Sequence, residues 1–190
     1  LRDRMPELDV HVATDHTGEP VTALLKGKID VALLTTAEVP KGRGLHEAPL
    51  FADEIVFVVG ARHPLAKARH VTRQLLESEP LITGNTPPAE ARWFHASVFG
   101  RRRPKLQFLH FALTEGIMDA ARAGMGIAVL SEWVASQYLG QRDLRLLRLP
   151  SGPLRRPWRI AYRGEAEPAA ERLRAVLLAE VPSLHARPAE

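Results

Sequence analysis

The sequence predicts an α/β fold. Short apolar runs with strand patterning alternate with segments of helical periodicity along the whole chain. The composition is that of an ordinary globular domain, 45% hydrophobic and 25% charged over 190 residues. No apolar run approaches the roughly 18–20 residues of a membrane-spanning helix.

Asp9 to Thr14 alternates apolar and polar residues and predicts a strand. Pro20 to Lys26 follows as a short helix with Val21, Leu24 and Leu25 on one face and Gly27 as its stop. The apolar run Ile29 to Leu34 reads as a buried parallel strand. Leu45 to Phe51 and Glu54 to Val59 read as two further strands, and Val71 to Leu76 as a short helix. Pro80 precedes a strand at Leu81 to Thr83, then a helix at Ala89 to Phe99 and a strand at Leu106 to Phe111.

Thr114 to Ala123 is an amphipathic helix, with Thr114 suited to cap it and Glu115 to its positive end; Gly124 and Gly126 close it. Ile127 to Leu130 is a buried strand, and Ser131 is placed to cap the helix that follows. Leu144 to Leu149 and Trp158 to Tyr162 are late strands, Ala169 to Glu180 is the closing helix, and the tail from Val181 reads as frayed. Strands alternating with helices in this way predict largely parallel sheets, whose ligands bind at the carboxyl ends of the strands.

Several chemistries are excluded. The chain has no cysteine, hence no disulfide, thiol nucleophile or thiolate metal site. It has no Gly-x-Ser-x-Gly elbow, no phosphate-binding Gly-Lys-Ser/Thr loop and no His-Glu-x-x-His. Gly124-x-Gly126 stands at a helix end before a strand, the reverse of a dinucleotide fingerprint. The histidines are scattered without metal-ligand spacing. No catalytic residue, metal ligand or cofactor is assigned, and a binding module is preferred to an enzyme. The net charge of +4 gathers at Arg101, Arg102, Arg103 and Lys105 and again at Arg155, Arg156 and Arg159. With no interleaved aromatics, these read as solvated loops and not as a nucleic-acid contact.

Four stretches together resemble the effector-binding domain of LysR-type transcriptional regulators. They are Leu24 to Leu33 (LLKGKIDVAL), His63-Pro64-Leu65-Ala66 after Glu54 to Val59, Ala123 to Leu130 (AGMGIAVL), and Leu144 to Pro150. The third departs from the family pattern in carrying Ser131 where proline is usual. Thr114 to Ile117 and Ser131 to Trp133 are similar to the homocysteine-responsive regulators of methionine biosynthesis.

The resemblance implies two Rossmann-like lobes of the periplasmic-binding-protein type II fold, 1–60 plus 158–190 and 61–157, with an effector between them that shifts conformational populations. It also implies an N-terminal winged helix-turn-helix DNA-binding domain that this chain does not contain. The first strand of lobe one is expected to be missing too, with Leu1 to Pro6 as the end of the helix after it. DNA is contacted only through that absent domain, no membrane is involved, and the location is cytoplasmic. The family commonly forms dimers, here through Pro20 to Lys26 and the early strand of lobe one against Ala89 to Phe99, and tetramers at full length. A solute-binding protein of a transport system with the same fold is the alternative.

Within that frame the candidate effector contacts lie at strand ends. In lobe one they are Thr35 and Thr36 after the buried strand, and His16 and Thr17 after the preceding one. In lobe two they are Thr83, Gly84 and Asn85, with Phe111 and Thr114 flanking a helix N-terminus suited to a carboxylate. The expected ligand is an amino acid or small carboxylate such as homocysteine, with no arginine or aspartate assigned to an ammonium group.

Overall fold

The computed structural model describes residues 8–179. The described residues divide into two compact units, one of 8–52 together with 157–179, the other Asp53–Arg156. The divisions fall inside two strands that pass from unit to unit, β2 (Leu45–Gly60) and β7 (Leu154–Arg163). The sequence had placed the crossings at Gly60-Ala61 and Pro157-Trp158.

Unit one begins, within the described residues, without the strand expected at Asp9 to Thr14. Those residues are exposed and unpaired in any sheet, although their side chains alternate apolar and polar. Alternation describes a half-buried strand only when a neighbouring strand supplies the ladder, and none does so here. The Leu1 to Pro6 segment lies outside the described residues.

Helix α1 (Pro20–Leu25) starts on a proline that is already set for helical φ, and it buries Ala23 and Leu24. Gly27 ends it at φ 64, its N–H on the Leu24 carbonyl at 3.0 Å and that of Lys28 on Ala23 at 3.0 Å.

Strand β1 (Val31–Leu34) pairs antiparallel with β7, Leu34 opposite Arg159. It is therefore neither parallel nor buried on both faces, and Leu33 is 45% exposed. Leu24, Ala32, Leu34 and Ala161 pack on one face. Leu50, Ile160, Tyr162 and Ala170 pack on the other, under α6 (Glu167–Ala179).

Unit two is doubly covered. Its strands are the second half of β2, β3 (Leu81–Thr83), β4 (Phe108–His110), β5 (Ile127–Ser131) and β6 (Leu144–Leu147). Strand β3 runs parallel to both β4 and β5, while β2 is antiparallel to β5 and β6. The sheet is mixed, not largely parallel. Side chains of a strand alternate between faces, and they sort accordingly. Ile55, Phe57, Val59, Leu81 and Ile127 pack with α2 (Arg73–Ser78) and α3 (Pro88–Phe99) through Leu76, Phe94, Val98 and Phe99. Val56, Val58, Ile82 and Ala128 pack with α4 (Thr114–Arg122) and α5 (Glu132–Ala135).

The two strands expected at Leu45 to Phe51 and Glu54 to Val59 are one continuous strand, because Asp53 and Glu54 are buried within it with cationic partners instead of breaking it. Val71 is not helical; it is a fully buried core residue whose N–H bonds Arg148, and α2 is capped at Thr72. The short β4 stands at the edge with no outer neighbour to extend it. The late strand at Leu144 ends at Leu147, and the tail from Val181 lies outside the described residues.

Candidate functional site

Because β3, β4 and β5 run in one direction, their carboxyl ends leave unit two on the same side. Strand β3 ends at Thr83, and the loop after it carries Gly84 and Asn85. Phe111 follows β4 and donates its N–H to the Thr83 carbonyl at 3.0 Å. His110 places Nδ1 3.1 Å from the Gly84 carbonyl, which also accepts from the Thr86 hydroxyl at 3.2 Å. The Phe111 ring lies over the first turn of α4, so close that a Cβ at Gly116 would stand 3.1 Å from it. Thr114 is the first residue of that helix. Thr83, Gly84, Asn85, Phe111 and Thr114 are thus brought to one end of unit two, beside an α-helix N-terminus.

The cap of α4 differs from expectation. Leu113 holds the N-cap position and provides no side-chain bond, so Thr114 sits one place too far along to cap it. The helix enters with its first N–H groups uncapped by any side chain, a polarity suited to an anion.

In unit one, Thr35 and Thr36 follow β1 in a loop held by Arg159. That guanidinium donates to the carbonyls of Thr35 at 3.2 Å and Ala37 at 2.5 Å, and pairs with Glu47. His16 and Thr17 belong to a turn before α1. Thr17 bonds back to the Thr14 carbonyl through its hydroxyl at 3.0 Å, and His16 lies 3.6 Å from Asp15. With no strand before them, nothing in the sheet aligns His16 and Thr17 with Thr35 and Thr36.

A buried polar network that no sequence motif announces stands at the same end of unit two. Asp53 is 2% exposed and takes a bidentate pair from Arg156, Nε to Oδ1 at 3.1 Å and Nη2 to Oδ2 at 2.5 Å. Arg156 also pairs with Glu90 in the first turn of α3. Ser131 donates to Asp53 at 2.7 Å and accepts from Arg156 at 2.8 Å. Its hydroxyl is thereby committed, and it does not cap α5.

Burial on its own works against the Arg156 charge, but the hydrogen bonds and attraction of Asp53 and Glu90 outweigh it and the pKa is raised. Arg156 and Arg159 are therefore structural cations, not the solvated loop residues expected of them. Arg155 and the Arg101 to Arg103 group are exposed as expected. The signal available in sequence was the carboxylate pair Asp53-Glu54, set in an otherwise apolar strand.

Among the described residues there is no cluster of three histidines or carboxylates able to hold a metal ion, and no helix long and apolar enough to cross a membrane.

The family of LysR substrate binding domains matches residues 1–182. The HTH-type transcriptional regulator MetR of Escherichia coli (strain K12) is 32% identical over 136 residues, 70% of this chain and 41% of that protein. CfxR of Cupriavidus necator is 28% identical over 180 residues, 91% of this chain and 55% of that protein. The chain thus spans about half the length of these relatives, or less.

Among solved structures, the regulatory domain of NMB2055 (MetR), a LysR family regulator from N. meningitidis, superposes with a TM-score of 0.76 and 25% identity, covering 95% of this chain and 86% of that one. The regulatory domain of CcmR from Synechocystis PCC6803, in complex with 2-PG, shares the fold at a TM-score of 0.73 and 21% identity, covering 97% and 89%. The mixed α/β fold matches LysR regulatory domains, whose architecture is that of periplasmic-binding-protein type II, and MetR proteins are among the relatives as the Thr114 and Ser131 stretches implied. The family is one of transcription regulators and not of enzymes, and this chain belongs to it as a LysR substrate-binding domain.

Proposed function

We propose that this domain senses a small carboxylate or amino acid, and that its occupancy biases the DNA binding of a larger regulator. The observation that carries the reading is the convergence of Thr83, Gly84, Asn85, Phe111 and Thr114 on the uncapped N-terminus of α4. The helix N–H groups and the hydroxyls of Thr83 and Thr114 receive the carboxylate, and Phe111 supplies an apolar wall. Thr35 and Thr36, on the loop of unit one that Arg159 holds in place, stay candidate effector contacts of that unit. His16 and Thr17 are weaker candidates, since the strand meant to present them is absent.

Homocysteine is the first effector to test, given the MetR relatives. 2-PG is the second, because the CcmR domain is known in complex with it. In the larger regulator, DNA contact belongs to a winged helix-turn-helix outside this chain, the location is cytoplasmic, and the domain pairs as a homodimer.

The test is thermal unfolding across a metabolite panel containing both compounds. A binder raises the melting temperature in a concentration-dependent, saturable way. Thr83→Val and Thr114→Val weaken that shift without lowering the melting temperature of the free protein by a comparable amount. Absence of a shift with every member of the panel overturns the reading.

A further inference from the structure

Glu132 is a buried carboxylate that the fold does not use. It is the first residue of α5 and 5% exposed, yet its Oε2 has no hydrogen-bond partner among the described residues. A carboxylate removed from water without a partner is strongly disfavoured, so a protein that keeps one calls for an explanation beyond packing. The cation of the adjacent network does not supply it. Arg156 is directed to Asp53, Glu90 and Ser131, the residue immediately before Glu132. The next residue repeats the pattern, since Trp133 Nε1 is also buried without a partner.

The position of this residue pair is specific. Strand β5 leaves the sheet on the same side as β3 and β4, so Glu132 stands at the end of unit two that carries Thr83 to Asn85, Phe111 and the N-terminus of α4. That end offers donors, in the helix N–H groups, and an acceptor oxygen not used by the fold, Glu132 Oε2. A molecule complementary to it carries a carboxylate for the first and a cationic donor for the second. A metal ion does not match, because no third histidine or carboxylate accompanies Glu132 in a coordinating group among the described residues.

We propose that Glu132 is a specificity-determining residue that receives the α-ammonium group of a zwitterionic amino-acid effector, setting the site against simple carboxylates. The inference rests on the reading of this end of unit two as the effector site. It deepens that reading by assigning the charge of the second recognition group.

The test is calorimetric titration of the chain with L-homocysteine and with its des-amino carboxylate analogue, which share a skeleton and differ in the ammonium group. Wild type binds the amino acid at least about tenfold more tightly. Glu132→Gln, nearly the same in shape, binds the des-amino analogue as wild type does and loses the preference. Its melting temperature does not fall, because Oε2 makes no hydrogen bond that the substitution could break. Glu132→Asp keeps the charge and retains part of the preference, which a purely structural role does not explain. If wild type binds both compounds but shows no preference, or Glu132→Gln keeps it, the role of Glu132 is overturned while the effector site stands. If wild type binds neither compound, this inference is overturned, and the effector reading falls with it only when no member of the metabolite panel raises the melting temperature either.

Discussion

Arg156 meets Asp53 edge to edge, with two parallel bonds of 3.1 and 2.5 Å, at the point where β2 and β7 enter unit two. Asp53 opens that unit and Arg156 closes it, so residues 103 positions apart in the chain are joined by the most buried ion pair of the network. Glu90 and Ser131 extend the joint to α3 and β5.

Breaking this pair from either side takes from a buried charge its bidentate partner, leaving Asp53 with Ser131 and Arg156 with Glu90 and Ser131. Arg156→Met and Asp53→Asn are each expected to destabilise the fold by about 3–5 kcal/mol. Urea unfolding of both single variants and the double variant measures it. The double variant is expected to lose less than the sum, because neither Asp53 nor Arg156 is then left facing a missing partner and only Glu90 has lost its cation. Additive losses show that the pair is not the source of the effect.

Gly126 holds a different constraint. Its φ is 152, and a Cβ there would stand 2.2 Å from the Pro80 carbonyl, the acceptor of the Ile127 N–H at 2.9 Å. Gly126→Ala is expected to cost well over about 1 kcal/mol, from both the backbone conformation and the forced movement of Pro80. Gly140→Ala, with nothing near its Cβ, stays within about 0.5 kcal/mol. Thermal unfolding of the pair separates the two cases, and equal effects refute the close approach at Pro80.

Both tyrosines have raised pKa values. Burial is the leading cause for each, reinforced at Tyr138 by Glu115, whose carboxylate accepts from the phenol at 3.4 Å, and at Tyr162 by Glu167. In the folded protein the phenolate absorbance is expected to rise only above the ordinary value of 10.0. A folded pKa above the unfolded one favours the protonated native state, so this contribution is complete below pH 10 and lost as pH climbs through the folded value. Tyr138→Phe removes one of the two transitions, and Glu115→Gln moves the Tyr138 transition down without abolishing the burial effect. Titration of the folded chain at the unfolded value contradicts this.

Arg159 governs a loop and not a core. With its bonds to the Thr35 and Ala37 carbonyls removed in Arg159→Met, amide exchange is expected to quicken at residues 35–38 more than in β1. Effector-induced stabilisation should fall at the same time. Uniform quickening throughout unit one would instead mark Arg159 as a support of the whole unit.

The helices of this chain were readable because their information is local. The α4 pattern Ile117-Met118-Ala121 and the Pro20 start with the Gly27 stop each depend on residues within a few positions of one another. So too was the strand end at Thr83, since an apolar run followed by small polar residues marks the exit from a sheet, whereas the strand expected to reach Phe111 ends at His110. The strand expected at Asp9 to Thr14 did not form, because its alternation had no partner strand to act on, and β1 was misjudged as doubly buried because a run of apolar residues does not say which neighbours it will meet.

Sequence reasoning sufficed for the alternation of helices and strands, the exclusion of catalytic motifs and the family resemblance, all of which reside in order and spacing along the chain. Pairing across long separations was settled only by the folded molecule. Arg156 and Arg159 looked like solvated cations until folding set them against Asp53, Glu90, Glu47 and the carbonyls after β1. Ser131 looked like a helix cap until Asp53 claimed its hydroxyl. The fate of a polar group depends on what desolvates it and what it can then bond, and both are supplied by segments distant in sequence.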